Sequence, residues 1–135
     1  MKISILTICP EQFESFLKTP LIARNIASGL LKMEIVDIRE FVKGSFRKID
    51  DSPYGGGPGM ILKAAEEHDL DVKNSFMIGD RLTDLEAGVN AGCSAVALVR
   101  TGYGETQDLP QYPGVTVIDA KNIGEAVAAL VKRMD

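Results

Sequence analysis

Apolar and polar residues alternate with two different periods along this chain, and the changes of period divide it into strands and helices. Short β-branched or alternating runs predict five strands, at Ile3–Ile8, Met33–Ile38, Ser75–Gly79, Ala95–Val99 and Val115–Ile118. Apolar residues at helical spacing predict helices over Glu11–Ser28, Met60–His68, Thr83–Ala91 and Ile123–Met134. Pro20 should break or re-aim the first helix, and the glycines and prolines between Glu40 and Gly59 predict a long loop.

Strands that alternate with helices predict a parallel α/β sheet with right-handed crossovers. We expect one three-layer Rossmann-like, flavodoxin-like domain over residues 1–135. If the first strand is central, the five parallel strands take the order 2-1-3-4-5. Ligands of such sheets bind at the carboxyl ends of the strands, where the order reverses, which would bring the Cys9–Glu11 turn beside Asp80.

Composition limits the classes of function. The 135 residues are 45% hydrophobic and 25% charged, as in ordinary globular domains, and the net charge of −4 disfavours a dedicated nucleic-acid binder. Cys9 and Cys93 form no disulfide framework, which favours the cytoplasm. No apolar run reaches the ~18 residues of a membrane span, and the run after Met1-Lys2 is too short for a signal peptide. We therefore expect no membrane partner.

An acidic motif follows the third strand. Asp80 lies at its tip and Asp84 lies four residues later, on the opening turn of the next helix. Two carboxylates suffice for Mg²⁺ when water and phosphate complete its shell, and Arg81 adds a cation where phosphate could bind. The simpler alternative is that Asp80 or Thr83 only caps the helix.

A family resemblance favours the metal interpretation. Pro58–Gly104 is similar to haloacid-dehalogenase (HAD) phosphatases of the histidinol-phosphate and heptose-bisphosphate type, through Pro58-Gly59-Met60, the Gly79–Asp84 motif and Leu98–Gly102. The similarity extends weakly to residue 135. The resemblance implies a HAD-like fold, Asp80 as an Mg²⁺ ligand and Asp84 as its support.

The departures from that family concern catalysis. The resemblance implies a nucleophilic aspartate at the end of the first strand, in an Asp-x-Asp pattern, where this chain has Ile8-Cys9-Pro10-Glu11. The family's lysine falls on Gly55, Gly56 and Gly57. Without the nucleophile no aspartyl-phosphate can form. Glu11 could serve as a third metal carboxylate or could favour the N-terminus of the following helix.

The first half has a second resemblance. Residues 1–63 are similar to the amino-terminal part of bacterial tRNA (guanine-N1)-methyltransferases, of the SPOUT class, through Ile5–Ile8, Ile35–Arg39, Asp50-Asp51 and the string Tyr54–Met60. That family binds S-adenosylmethionine in a later, knotted half, and its catalytic aspartate lies later still. We therefore expect neither S-adenosylmethionine binding nor methyl transfer.

The loop at the junction could bind anions. Successive N–H groups of Gly55, Gly56 and Gly57 could form a phosphate nest, and Arg47 and Lys48 could contact RNA phosphates. The alternative is an ordinary connector with solvated charges.

Three hypotheses follow. The first is a hybrid, or chimera, of two half-enzymes without turnover, which retains a weak Mg²⁺ and phosphate site. The second is an Mg²⁺-dependent phosphohydrolase (a phosphatase) that acts on a small phosphate ester through a rearranged site. The third is a tRNA-binding, methyltransferase-related module with weak affinity. Apolar edges could in addition drive assembly into a homo-oligomer.

Overall fold

The structure, a computed structural model, describes residues 1–41 and 58–133, in two compact units. The first unit is Met1–Ile49 and the second is Asp50–Asp135. The five strands predicted from the sequence occur in the structure, two in the first unit and three in the second, with bounds that differ by at most two residues. Within the described residues, no helix is both long and apolar enough to cross a membrane.

The first unit is a small parallel β-α-β arrangement. Strands β1 (Lys2–Thr7) and β2 (Lys32–Asp37) pair in parallel, with Lys2 opposite Lys32. Between them come a 3₁₀ turn (Pro10–Phe13), helix α1 (Glu14–Leu17) and helix α2 (Pro20–Ala27). A further 3₁₀ turn covers Ile38–Phe41.

The predicted helix over Glu11–Ser28 is therefore three short segments. Pro20 occupies the first position of α2, where its missing N–H costs no hydrogen bond, and Thr19 before it is extended. The proline thus starts a new helix as well as ending the previous one. Gly29 follows α2 at φ +73°, a conformation that glycine adopts without strain.

The second unit is a three-layer α/β/α arrangement. Its elements are helix α3 (Pro58–His68), strand β3 (Phe76–Gly79), helix α4 (Leu82–Ala91), strand β4 (Ala95–Val99), strand β5 (Thr116–Ala120) and helix α5 (Ile123–Val131). The strands pair in parallel in the order β3-β4-β5. A 3₁₀ turn at Gly102–Thr106 follows β4.

Strand β4 is central and buried along its whole length, and its side chains alternate between two faces. Ala95, Ala97 and Val99 pack with Ala126 and Leu130 of α5. On the other face, Val96 and Leu98 pack with Leu85 of α4. The continuous apolar run Ala95–Val99 is thus explained by helices on both faces of the sheet.

The prediction of one five-stranded sheet in the order 2-1-3-4-5 is wrong. The described strands form a two-stranded sheet, β1-β2, and a three-stranded sheet, β3-β4-β5. Hydrophobic periodicity indicates where strands occur, but not which strands are neighbours when their connection is long. The proximity of the Cys9–Glu11 turn to Asp80 depended on that single sheet and stays a prediction, as does the single domain.

Candidate functional site

The parallel register of the second unit brings the carboxyl ends of three strands to one edge of the sheet. Gly79 pairs with Leu98, and Leu98 pairs with Asp119. Asp80 follows β3 directly, and the turn Gly102–Thr106 follows β4. The predicted acidic motif therefore lies at the edge where α/β sheets bind ligands.

Asp80 is held by the turn that follows β4. The backbone N–H of Tyr103 donates a hydrogen bond of 3.2 Å to Asp80 Oδ2. Gly102, at φ +59°, lies so close that a β-carbon there would collide with the same carboxylate oxygen. Only glycine satisfies both the backbone conformation and the close approach at this position.

Asp84 is the third residue of α4, and its carboxylate turns back toward the start of the helix. Its Oδ2 accepts a hydrogen bond of 3.2 Å from the backbone N–H of Arg81. Burial raises the pKa of the Asp84 carboxyl, and the negative charge of Asp80 raises it further, while the Arg81 N–H opposes the shift. The capping alternative named Asp80 or Thr83, whereas Arg81 takes the N-cap position of α4 and the Asp84 carboxylate accepts from its N–H.

Arg81 is exposed between the two carboxylate residues. Its guanidinium lies over the ring of Tyr103, with Cζ 4.1 Å from the ring centroid, which is within the range of a cation–π contact. The contact joins the loop after β3 to the turn after β4. It also places a cation at the same edge of the sheet as Asp80.

Arg100, which follows β4, makes contacts at this edge that were not predicted from the sequence. Its Nε donates to Asp119 Oδ1 at 2.7 Å, and one terminal nitrogen donates to Asp119 Oδ2 at 2.8 Å. Its other terminal nitrogen donates to the carbonyl oxygens of Gly104, at 2.9 Å, and Gln107. The sequence signals were its position directly after a buried strand and within Leu98–Gly102, and neither identifies its hydrogen-bond partners.

The side chains at this edge provide two carboxylates that could hold a hard divalent cation. Asp80 and Asp84 supply carboxylate oxygens, the ligand type that Mg²⁺ prefers, and Mg²⁺ often binds through one or two carboxylates. The pKa of the Asp84 carboxyl is raised first by burial and then by the negative charge of Asp80, while Arg81 opposes the shift. No group of three His, Cys, Asp or Glu side chains suited to a metal ion occurs among the described residues.

The remaining predicted site residues lie in the first unit or outside the described residues. Glu11 is exposed in the 3₁₀ turn of the first unit, so its assignment as a third ligand stays a prediction. Cys9 is half-buried, and its N–H donates to Thr7 Oγ1 at 3.1 Å. The other predicted residues lie outside the described ranges: Arg47, Lys48, Gly55, Gly56 and Gly57.

Comparison with known proteins assigns the chain to two families. Residues 1–76 match the family model of the tRNA (Guanine-1)-methyltransferase TrmD, and residues 56–126 match the HAD-hydrolase-like model. Each match covers more than half of the chain, and the two overlap at the junction. The chain therefore belongs to both families, as a hybrid of a methyltransferase-like part and a HAD-like part.

Individual relatives agree with this assignment. The chain is 38% identical over 114 residues to a tRNA (guanine-N(1)-)-methyltransferase from Kocuria rhizophila, covering 84% of this chain and 33% of the relative. It is 40% identical over 95 residues to the enzyme of the same name from Thermosipho melanesiensis, covering 62% of this chain and 39% of the relative. The chain thus spans well under half the length of these curated relatives.

Among solved structures, the chain is similar in fold to a structure described as a HAD-like phosphatase from Mesorhizobium loti. The TM-score is 0.50 and the sequence identity is 20%, over 96% of this chain and 65% of that protein. This similarity supports an α/β fold of the HAD-like class. It does not extend to activity at this level of identity.

Proposed function

We propose that the 135-residue chain is a hybrid of two partial enzymes without turnover, whose HAD-like part retains a weak site for Mg²⁺ and phosphate. The observation that carries the proposal is the arrangement of Asp80 and Asp84 at the carboxyl edge of the second sheet. The Tyr103 N–H and the Arg81 guanidinium lie at the same edge. This arrangement supplies oxygen ligands for a cation and a positive charge for an anion.

The residues assigned to the site have distinct roles in this proposal. Asp80 ligates the cation directly, and Asp84 ligates it or holds a water of its hydration shell. Arg81 offers its exposed guanidinium to a phosphate oxygen, for which its planar fork is suited. Bound Mg²⁺ would supply positive charge that draws a small phosphate-containing ligand to this edge. Two carboxylates and one arginine form a binding site, but they do not form a covalent catalyst.

The absence of turnover is inferred from the residue types at the remaining family positions. The HAD resemblance places the nucleophile in the Ile8–Glu11 stretch, which contains no aspartate. By the same resemblance, the family's lysine falls on Gly55, Gly56 and Gly57. Catalytic groups of this kind act as a unit, so the loss of several removes nearly all rate enhancement. A phosphohydrolase with a rearranged site is the alternative, and it requires Cys9 or Glu11 to take over the nucleophile's role.

The methyltransferase-like part is proposed to be inactive on its own. Its similarity covers the region before the S-adenosylmethionine pocket that the family resemblance implies. Arg47 and Lys48 could give weak contacts to tRNA, and salt-dependent binding to tRNA that weakens on Arg47→Ala would support this lesser role.

We further propose a cytoplasmic location, because the two cysteines form no disulfide. Self-association of the chain is a separate proposal, and sedimentation of the purified protein tests it.

Titration of the ¹⁵N-labelled chain with Mg²⁺ in the presence of inorganic phosphate tests the retained site. We expect saturable shifts of the amide signals of Asp80, Arg81 and Tyr103. Asp80→Asn should weaken Mg²⁺ affinity by about tenfold or more, in the range found when groups supporting a metal are removed.

A matched control is Asp69→Asn. Asp69 is exposed and adopts φ +52°, which asparagine tolerates equally well, so this change removes one carboxylate from a different place. It should leave Mg²⁺ affinity unchanged. Shifts that never saturate, or equal weakening by both substitutions, would show only diffuse attraction of cations to an acidic protein and would refute the site.

A further inference from the structure

The Arg100 guanidinium donates hydrogen bonds to three different residues. Two of these bonds form a fork with the Asp119 carboxylate, and the others go to the carbonyl oxygens of Gly104, in the following turn, and of Gln107, directly after it. The backbone N–H of Arg100 donates to Ala120 O at 2.8 Å. One residue thereby joins the end of β4, the end of β5 and the turn Gly102–Thr106.

The turn that Arg100 holds is closely packed. Gly104 is buried, and a β-carbon there would collide with the carbonyl group of Val99, whose carbon would be 2.9 Å away. Within the turn, the Gly104 N–H donates to Thr101 O at 3.2 Å and the Gln107 N–H donates to Gly104 O at 3.4 Å. Tyr103 belongs to this turn, between Gly102 and Gly104.

The energetics of the Arg100–Asp119 pair indicate a local role. The side chains are 28% and 47% exposed, and ion pairs with such exposure contribute little to global stability. The fork nonetheless fixes the direction of the guanidinium, since both carboxylate oxygens are engaged. The fixed orientation of the guanidinium in turn directs its other terminal nitrogen toward the carbonyl oxygens of Gly104 and Gln107.

We propose that Arg100, oriented by Asp119, is a positioning residue for the cation site, because it holds the Gly102–Thr106 turn so that the Tyr103 N–H meets Asp80. Arg100 makes no described hydrogen bond to Asp80 and acts only through the turn. Release of the turn would let the Asp80 carboxylate rotate and would separate the Tyr103 ring from Arg81. The proposal rests on the proposed function in so far as Asp80 is a ligand of Mg²⁺.

The test uses the variants Arg100→Gln and Asp119→Asn in the full 135-residue chain. The first removes every guanidinium contact, whereas the second leaves a neutral acceptor for part of the fork. The first readout is the hydrogen-exchange rate of the Tyr103 amide in EDTA, without metal. We expect exchange to accelerate by about tenfold or more in Arg100→Gln and by less in Asp119→Asn, since local opening determines this rate.

The second readout is the affinity for Mg²⁺, measured by the same amide titration. Arg100→Gln should weaken it by about tenfold, as outer-shell substitutions at metal sites commonly do. Arg39→Gln is the matched control, because Arg39 forms an equivalent fork on Asp37 in the first unit, with Nε 2.8 Å from Oδ1. The control should change neither the Tyr103 exchange rate nor the affinity for Mg²⁺.

The outcomes separate this inference from the proposed function. If Tyr103 exchange is unchanged in Arg100→Gln, the positioning role is refuted, whatever the metal does. If exchange accelerates but Mg²⁺ affinity stays at the wild-type value, the turn is held by Arg100 but does not serve the site, which also refutes the proposal. Wild-type chain that binds no Mg²⁺ refutes the proposed function and the role of Arg100 toward a metal, while the exchange data still decide whether Arg100 holds the turn.

Discussion

Gly79 and Asp84 approach each other so closely that no side chain fits between them. A β-carbon on Gly79 would lie 2.5 Å from Oδ2 and 2.8 Å from Cγ of Asp84. Gly79 ends β3, and Asp84 is in the first turn of α4. The missing side chain of Gly79 therefore lets the Asp84 carboxylate turn back onto the Arg81 N–H at the edge of the sheet.

Gly79→Ala should destabilise the fold because the new methyl group overlaps Asp84. Overpacking of this kind commonly costs about 1–3 kcal/mol, measured as the free energy of unfolding in urea. Gly59→Ala is the matched control, since among the described residues nothing beyond its chain neighbours and its own helix backbone lies within 4 Å of a β-carbon there. Alanine there should be neutral or stabilise α3 by up to ~1 kcal/mol. Equal effects of the two substitutions would contradict the predicted contact.

Leu98→Ala should be among the most damaging core substitutions. Leu98 is fully buried in β4 and packs with Leu85 and Val96, so truncation leaves a cavity. We expect a loss of about 2–5 kcal/mol in the free energy of unfolding. Leu62→Ala in α3 removes the same atoms from a side chain that is 47% exposed and should cost much less. A small effect of Leu98→Ala would place β4 away from the centre of the core.

The raised pKa of Asp84 predicts a dependence of stability on pH. Its folded-state pKa lies above the ordinary value of 3.8, so protonation favours the folded chain. Its contribution is fully present below the unfolded-state pKa and is lost as the pH rises through the folded-state pKa. In EDTA, wild-type chain should therefore lose stability relative to Asp84→Asn as the pH rises from about 4. Urea unfolding of both proteins across this range measures the difference.

Asp119→Asn should show the opposite dependence. The Arg100 guanidinium lowers the pKa of the Asp119 carboxyl, so its contribution is present above the unfolded-state pKa and is lost as the pH falls through the folded-state pKa. The stability difference between wild type and Asp119→Asn should shrink on acidification. The same sign of pH dependence for the Asp84 and Asp119 variants would contradict the environments described for one of them.

The sequence predicts the strands of this protein better than their arrangement. The run Ala95–Val99 is correctly predicted as a strand, since a strand with helices on both faces is apolar at every position. The placement of β1 beside β3 is wrong, because no residue pattern within either strand specifies its neighbour across a long connection. The helix predicted over Glu11–Ser28 is too long. The apolar residues keep helical spacing across Pro20, but the helical backbone is interrupted there.

The candidate site was predictable only in its charged residues. Asp80 and Asp84 follow from their spacing after an apolar strand, and Arg81 follows from its position between them. The hydrogen bond from the Tyr103 N–H to Asp80 joins residues that are 23 positions apart. The hydrogen bonds between Arg100 and Asp119 depend on the register of β4 with β5. Contacts that are distant in sequence arise from strand pairing, which a single sequence does not encode as a local pattern.

Hydrolysis of p-nitrophenyl phosphate by the purified chain, with saturating Mg²⁺, tests the central claim most directly. We predict that the wild-type chain hydrolyses the ester at the same rate as Asp80→Asn. The reason is that Asp80 and Asp84 bind a cation, but no nucleophile is present to attack the phosphorus atom. Mg²⁺-dependent turnover that copurifies with the wild-type chain and disappears in Asp80→Asn would contradict the account. It would show that a residue outside the family's pattern performs the attack.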